Sequence, residues 1–382
     1  MSAEGDRYVL SRKDVSRLLE QLHQRGYTVL APRVHEAALV YGEIRSVEEL
    51  PSGWTDRQEG GTYRLERRSD DALFGYNVGP DSWKKYLFPA HEKLWTARRT
   101  GEGFEVEESR KTGPRYAFLG VRACEIAAMH IQDRVFGGPY ADPGYQARRT
   151  GALIIAVQCG QAGNTCFCVS MKTGPRVTQG FDLSLTELLD GNDHRFLLEV
   201  GSERGAEIAE SLHLPVAPPK DVRAAGELLD RTAAAMGRTL RTDDLHELLL
   251  GSPEHPHWEE IAQRCLSCTN CTLACPTCFC STTEEVPELD GTKVERWRRW
   301  DSCFTLGFTQ LGKSSVRRSG ASRYRQWLTH KLASWQDQFG SSGCVGCGRC
   351  ITWCPVGIDL TVEVPVLRTG ARSKSSEGTA KP

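Results

Sequence analysis

Two cysteine runs of the same spacing constrain the fold of this chain more than any other feature. Both read C-x2-C-x2-C-x3-C-P, and they begin at Cys265 and Cys344. This spacing is typical of a loop that binds a [4Fe–4S] cluster, in which the first three thiolates hold one cluster and the fourth thiolate ligates another. The proline after each fourth cysteine lacks an N–H and has a fixed φ, which favours the end of the loop there. The runs therefore predict a fold in which they meet.

The exchange of the fourth cysteine between runs predicts two ligand sets. The first set is Cys265, Cys268, Cys271 and Cys354, and the second set is Cys344, Cys347, Cys350 and Cys275. Zinc is the alternative metal, because paired C-x2-C motifs commonly bind it. The third cysteine at the same short spacing and the C-P that ends both copies favour two [4Fe–4S] clusters over zinc.

Composition limits the class of protein. The chain has 382 residues, enough for two or three domains, and 39% of them are hydrophobic, which is enough to bury a core. The formal net charge is −1, so bulk charge favours neither nucleic acid nor an anionic membrane. No signal peptide is visible, and no apolar run reaches the roughly 18 residues of a spanning helix. We expect a cytoplasmic protein, in which fifteen cysteines indicate metal rather than disulfides.

The first half of the sequence predicts an α/β domain. An amphipathic helix is expected after Ser11, with Val15, Leu18 and Leu22 on its apolar face. A strand at 115–121, a helix through Val135 and a strand at 152–157 then form a parallel β-α-β unit. Other expected elements are strands at 27–31, 38–44, 62–67, 104–107 and 196–200, and helices at 182–189, 202–212, 221–236 and 242–250.

Four further cysteines in this half predict a third cluster. Cys124 and Cys159 directly follow the two parallel strands, where open α/β sheets place ligands, and Cys166 and Cys168 lie in the glycine-rich loop after the second strand. Four thiolates are the number that a cubane needs, and backbone N–H groups of such a loop stabilise negative charge. The alternatives are buried free cysteines, or a set in which Glu125 or a neighbouring carboxylate replaces one thiolate.

The domain organisation follows from these motifs. We expect an α/β (α+β) N-terminal domain at 1–220 with the third cluster, a helical linker at 221–256, a helical ferredoxin-like domain at 257–367 with two clusters, and a disordered tail at 368–382. Residues 276–343 separate the two runs, and we interpret 294–300 and 323–339 within them as helical. Residues 358–367 are expected to pack back onto this domain.

The remaining motifs indicate no bond-making chemistry. Cys278, Cys280 and Cys303 are interpreted as packing beside the clusters without ligating them, since the two runs already supply eight ligands. The run Arg296-Trp-Arg-Arg-Trp300 is expected to offset cluster charge or to contact a partner, and the overall charge disfavours a nucleic-acid patch. No dinucleotide fingerprint, P-loop, catalytic triad or H-E-x-x-H motif is found.

The motifs together resemble a known family. They are Gly120-Val-Arg-Ala-Cys124-Glu, Asp133-Arg-Val-Phe136, Thr165-Cys-Phe-Cys168-Val-Ser, Cys275-Pro-Thr-Cys-Phe-Cys280, Arg299-Trp-Asp-Ser-Cys303 and both cysteine runs. The chain resembles the iron–sulfur β subunit of cytoplasmic sulfhydrogenases, which are NAD(P)-linked [NiFe] hydrogenases, and it is similar to the electron-transfer subunit of anaerobic sulfite reductase. Glu125 stands where the pattern leads us to expect Asp.

The resemblance implies a subunit for electron transfer. It would relay single electrons between a flavoprotein partner, which carries FAD and handles NAD(P)H, and a catalytic partner, for which we favour the hydrogenase small and large subunits. A sulfite reductase catalytic subunit remains the alternative, because both families share these motifs. Other classes are a zinc-stabilised binding module, a self-contained enzyme with its substrate site in the first half, and an iron–sulfur redox sensor. The sensor would need a DNA-binding element, and none is found in the sequence.

Overall fold

The structure is a computed structural model that describes residues 5–77, 79–109, 113–191 and 193–371. Of the predicted disordered tail, residues 368–371 belong to the last helix, and residues 372–382 lie outside the described part of the chain. No helix among the described residues is long and apolar enough to cross a membrane.

The described residues form fifteen strands and thirteen α-helices. The strands are β1 (Arg7–Ser11), β2 (Thr28–His35), β3 (Ala38–Glu43), β4 (Trp54–Glu59), β5 (Thr62–Arg67), β6 (His91–Thr100), β7 (Gly103–Glu108), β8 (Tyr116–Val121), β9 (Leu153–Val157), β10 (Leu183–Asp190), β11 (Asp193–Val200), β12 (Ser281–Pro287), β13 (Lys293–Trp300), β14 (Gln310–Leu311) and β15 (Ser314–Ser315). The helices are α1 (Val15–Gln24), α2 (Lys84–Leu87), α3 (Ala123–Val135), α4 (Pro143–Thr150), α5 (Glu203–Leu212), α6 (Pro219–Ala234), α7 (Leu245–Leu250), α8 (His257–Arg264), α9 (Asn270–Leu273), α10 (Gly320–Thr329), α11 (Trp335–Phe339), α12 (Arg349–Thr352) and α13 (Leu360–Ala371).

A seven-stranded sheet organises the N-terminal half, in the order β1-β11-β10-β9-β8-β2-β3. Its four central strands are parallel, and β8 and β9 are connected through α3 and α4, so the predicted parallel β-α-β unit is confirmed. Helix α1 covers one face with Val15, Leu18 and Leu22, which are fully buried as the sequence predicts. The carboxyl ends of β8 and β9 lead directly to Cys124 and Cys159.

The helix predicted at 182–189 is wrong, because this segment is strand β10. Leu183 and Leu185 pack into the core on one face of the sheet, while Ser184 and Thr186 are buried on the other face. The strand pairs with β9 on one side and β11 on the other. Burial between two strands thus outweighs the helical preference of the Glu-Leu-Leu sequence.

The helix predicted at 294–300 is also wrong, since these residues form β13. A four-stranded antiparallel sheet runs in the order β12-β13-β6-β7 and joins the segment between the two cysteine runs to the N-terminal half. Trp297 stacks on His91 of the neighbouring strand, and Arg298 forms ion pairs with Glu92 and Asp142. The region around the runs is therefore mixed α/β rather than entirely helical.

The rest of the C-terminal half is helical. Helix α10, a π-helical turn (His330–Ser334) and α11 follow one another, as predicted for 323–339. Trp258, Tyr324, Trp327 and Leu328 form a buried core beside the first cysteine run. Helix α13 packs back onto this core with Leu367, which confirms the prediction for 358–367.

Candidate iron–sulfur sites

The first predicted ligand set lines a single cavity. Its thiols are contributed by Cys265, Cys268 and Cys271 of the first run and by Cys354 of the second run. Cys265 ends α8, Cys271 lies in α9, and the loop between them turns at two residues of positive φ. Aromatic and aliphatic side chains form much of the remaining wall, including Phe304, Tyr324, Trp327, Ile358 and Leu360.

Backbone N–H groups point at sulfur atoms of this cavity. The N–H of Ser267 donates to Cys265 Sγ at 3.4 Å, and the N–H of Ile358 donates to Cys354 Sγ at the same distance. Such donors stabilise thiolates and the negative charge of a bound cluster. Burial raises the pKa of Cys271 well above its usual range, and the neighbouring thiols of the cavity add to the shift. Metal binding therefore has to displace protons from this site.

The second predicted set is also brought together. The pKa of Cys350 is raised first by burial and then by the charges of Cys344, Cys347 and Cys275. The N–H of Gly346 donates to Cys344 Sγ at 3.4 Å, which repeats the arrangement in the first cavity. Cys275, Cys344 and Cys347 are each at most 9% exposed, so this set is deeper than the first.

The third predicted set also lines a cavity, which is separate from the cavity of the first set. Its thiols are those of Cys124, Cys159, Cys166 and Cys168. This cavity lies where β8 and β9 end, as the sequence predicts. Burial raises the pKa of Cys166 to about 12 and keeps the pKa of Cys124 well above its usual range. Arg122, Met236 and Cys347 complete much of the wall.

The second set lies between the other two. Cys347 lines the cavity of the third set, and Cys350 lines the cavity of the first set. Both belong to the second run, and they flank Arg349 in the sequence. The three predicted sites therefore form a continuous series within the chain.

Two glycines allow the second run to contact the loop that carries Cys166 and Cys168. Gly346 has φ +64°, its carbonyl accepts from the N–H of Phe167 at 2.8 Å, and a Cβ there would lie 2.7 Å from the backbone of Cys168. Gly348 has φ +75°, and a Cβ there would lie 2.5 Å from Thr165. Only glycine fits both the backbone conformation and the spacing.

The suggestion that Glu125 replaces a thiolate is not supported by its contacts. Oε1 accepts from Tyr41 Oη at 2.7 Å and from Arg349 Nη2 at 2.5 Å. Oε2 accepts from Trp83 Nε1 at 3.0 Å and from the N–H of Arg122 at 3.1 Å. Because four donors already occupy its two oxygens, the carboxylate is a hydrogen-bonded partner of Arg349.

The three remaining cysteines do not line the two cavities described above. Cys278 lies beside Cys275 of the second set, and Cys303 lies between Cys280 and Cys271 of the first set. Cys278 shares a hydrogen bond with Cys275, and Cys280 shares one with Cys303. The hydrogen bond from Cys303 lowers the pKa of Cys280 to about 7. Their interpretation as neighbours that do not ligate remains a prediction.

Two buried lysines next to these thiols are absent from the sequence predictions. Lys331 Nζ lies 3.3 Å from Cys275 Sγ and 3.4 Å from Cys278 Sγ. Burial lowers the pKa of Lys331, but the surrounding thiolates outweigh it and raise that pKa well above its usual range. Lys84 donates only to carbonyl oxygens, including that of Cys275 at 3.0 Å, and burial lowers its pKa to about 8. No sequence pattern identifies them, because lysine is normally exposed.

The donor sets fit iron–sulfur clusters. All fifteen cysteines are free thiols, and each predicted set offers four sulfurs, with backbone donors or buried cations close by. Among the described residues, no group of three or more His, Cys, Asp or Glu side chains is arranged to hold a single metal ion, so the fit to clusters rests on the number and chemistry of the donors in each set. The assignment of individual ligands to clusters remains a prediction.

Comparison with known proteins identifies this region. A family model described as a 4Fe–4S dicluster domain matches residues 264–358. The chain contains a 4Fe–4S dicluster domain. The domain includes both cysteine runs and the two strands β12 and β13 between them.

The similarity extends well beyond the dicluster domain. Sulfhydrogenase 2 subunit beta of Pyrococcus furiosus is 29% identical to this chain over 359 residues, which are 92% of this chain and 98% of that protein. The resemblance to sulfhydrogenase β subunits that the motifs predict is therefore confirmed, and it includes the α/β half. No solved structure matches the chain.

Proposed function

We propose that this chain is an iron–sulfur electron-transfer subunit that relays single electrons between two partner proteins. The observation that carries the proposal is the first cavity, where three cysteines of one run meet Cys354 of the other. This is the ligand exchange that two-cluster ferredoxin loops use. The dicluster domain and the similarity to a sulfhydrogenase β subunit support the same assignment.

Bound [4Fe–4S] clusters would supply one-electron transfer at potentials set by charge, hydrogen bonds to sulfur and exposure. The chain's own residues would hold three such clusters, in the first, second and third ligand sets. Three of the four thiols of the second set are buried, so the middle of the series is less accessible to water than the first set, where Cys268 is exposed. Lys331 and Arg349 place positive charge beside it, which offsets part of the negative charge of thiolates and clusters.

The partners follow from the similarity. A sulfhydrogenase subunit works in a complex, so we propose a [NiFe] hydrogenase as catalytic partner and a flavoprotein subunit with FAD as the partner that handles NAD(P)H. A sulfite reductase complex is the second candidate, because the motifs are shared. We place the protein in the cytoplasm, and we assign the third set to an α/β domain at 1–220 and the other two to 257–367.

The decisive experiment measures iron, acid-labile sulfide and zinc per chain on anaerobically purified protein. We expect about twelve iron and twelve sulfide, since each cubane holds four of each. About eight iron and eight sulfide per chain would contradict the third cluster but would agree with two clusters in the dicluster domain. Zinc without sulfide would leave a zinc-stabilised module and end the electron-transfer proposal.

Variants separate the third set from the other cysteines. Replacing Cys159 and Cys168 together by Ala should remove about four iron atoms per chain. The matched control is Cys303→Ala, which removes a buried thiol outside the three sets and should leave the iron content unchanged. Equal iron in the double variant and the wild type would contradict the third cluster.

A further inference from the structure

The first cavity opens to solvent at one of its ligands. Of the fifteen cysteines, all of which lie in the described part of the chain, Cys268 alone is exposed. Leu266, which is 64% exposed, and Val356, which is 39% exposed, line the same cavity and flank this opening. Exposed apolar side chains around a redox centre are typical of the surfaces where protein partners bind.

A basic hairpin is held against this opening. Arg323 is buried, and its guanidinium donates to Ser267 Oγ at 3.2 Å and to the carbonyl oxygen of Arg318 at 2.8 Å. It thereby fixes the segment that contains β14 and β15 beside the first cysteine loop. Lys313, Val316 and Arg318 on this segment are exposed.

The exposed charges of the hairpin are positive. Residues 264–275 and 302–336 contain no Asp or Glu, but they contain Arg264 and six further Arg and Lys residues, of which Arg323 and Lys331 are buried and add no exposed charge. In the described residues, no carboxylate lies within ion-pair distance of Lys313 or Arg318. Glu254 and Glu363 pair with Arg325 and Arg264 at the margin. A positive surface around an apolar centre favours a partner with an acidic surface.

We propose that an acidic one-electron carrier protein docks on this face, which we call the Cys268 face and define by Leu266, Cys268, Lys313, Arg318 and Val356. The proposal rests on the proposed function and adds the place and the kind of partner. One electron would leave the reduced cofactor of the carrier, which is oxidised, and would reduce the [4Fe–4S] cluster that Cys265, Cys268, Cys271 and Cys354 would hold. No bond is made or broken and no proton is required. The reverse transfer uses the same contact.

Charge reversal on the hairpin tests the docking face. The variant Lys313→Glu with Arg318→Glu changes two exposed side chains that have no role as ligands. The matched control is Arg45→Glu with Arg57→Glu, whose side chains are 85% and 67% exposed in the N-terminal half. The probe is a reduced, strongly acidic flavodoxin, and the readout is the bleaching of cluster absorbance in a stopped-flow instrument at low ionic strength.

We expect the hairpin variant to lower the bimolecular rate constant about tenfold and the control to change it less than twofold. The difference should vanish at high salt, because exposed charges are then screened. Binding of oxidised flavodoxin to the immobilised protein, which needs no electron transfer, should weaken in the same variant alone. Equal rates and equal binding in both variants would overturn the docking face.

Dithionite separates this proposal from the function on which it rests. It is a small reductant that needs no docking surface, so it should bleach wild type and both variants alike. Protein without iron and sulfide would end the proposed function itself. If dithionite reduces the protein normally but the hairpin charges do not affect the reaction with flavodoxin, only the proposal of docking on the Cys268 face is contradicted.

Discussion

Arg349 Nη2 lies 2.5 Å from Glu125 Oε1, and the two side chains are 0% and 1% exposed. Arg349 belongs to the second cysteine run, whereas Glu125 follows Cys124 at the start of α3. The ion pair therefore joins the dicluster domain to the sheet of the N-terminal half next to the third ligand set. Arg349 Nε also donates to the carbonyl oxygen of Gly79 at 3.0 Å, so the guanidinium is held from two sides.

Glu125→Gln should destabilise the protein without removing iron. The substitution leaves Arg349 buried without its counter-charge, which costs about 3 kcal/mol in the free energy of unfolding. Urea unfolding under anaerobic conditions measures this cost, and iron analysis measures the clusters. Glu105→Gln on the exposed strand β7 is the control and should change neither quantity. A loss of about four iron atoms in Glu125→Gln would make this carboxylate a ligand after all.

The sequence predicts the parts of the site that depend on covalent spacing. The two runs and the β-α-β unit place the candidate cysteines in loops or in the first turns of the helices that follow those loops. These predictions succeed because loop length limits where a thiol can reach. Side chains that reach the site from distant segments cannot be predicted from spacing. Nothing near Lys331 or Arg349 in the sequence indicates a buried charge, because each is stabilised by groups that only the tertiary fold brings close.

The errors in the secondary structure have a similar cause. Residues 183–190 and 293–300 have mixed helical and strand preferences. Pairing with neighbouring strands in the fold determines that both segments are strands. Strand β10 is buried between β9 and β11, and β13 pairs with β6, about two hundred residues earlier. Neither pairing is visible from local periodicity. The fold of the segment between the cysteine runs was therefore the least predictable part of the dicluster domain.

Gly346→Ala should separate the second run from the loop of the third set. A Cβ at Gly346 would lie 2.7 Å from the backbone of Cys168, and φ is +64°. Gly340→Ala is a matched control, because φ is +67° there and nothing lies within 4 Å of the added Cβ. The control should lose about 1–2 kcal/mol from backbone strain alone.

Gly346→Ala should lose clearly more stability than this control, together with iron from the second and third sets. Anaerobic thermal unfolding and iron analysis of the two variants measure the difference. If both variants lose the same stability and keep all their iron, the close contact between Gly346 and Cys168 has no structural importance.

Lys331→Met should lower the reduction potential of the nearest cluster. The ammonium lies 3.3 Å from Cys275 Sγ, and its positive charge favours the more negative, reduced state. For a charge about 6 Å from the cluster in a medium of effective dielectric constant about 20, the shift is on the order of 100 mV. Redox titration followed by electron paramagnetic resonance measures it. Lys331→Arg keeps the charge and should stay close to wild type; equal potentials in Met and Arg variants would contradict an electrostatic role.

Glu92→Gln should weaken the junction between β6, β13 and α4 in a pH-dependent way. Glu92 accepts from Arg148 Nη1 at 2.9 Å and from Arg298 Nη2 at 2.5 Å, and its side chain is 12% exposed. Burial raises the pKa of Glu92, but the hydrogen bonds and charges of these arginines outweigh it and hold the pKa below its ordinary value of 4.5. We expect the variant to lose about 2 kcal/mol at neutral pH.

The sign of the pH dependence follows from the lowered pKa. A carboxyl group whose pKa is lower in the folded state binds protons more readily when unfolded, so its contribution is complete above pH 4.5 and decreases as the pH falls through the folded value. The stability difference between wild type and Glu92→Gln should therefore be constant from pH 8 to about pH 5 and shrink below pH 4.5. Urea midpoints at each pH measure it. Glu66→Gln removes an exposed ion pair with Arg57 and should change stability by less than about 1 kcal/mol at any of these pH values. A difference for Glu92→Gln that grows on acidification would show that this carboxylate is not stabilised by the two arginines.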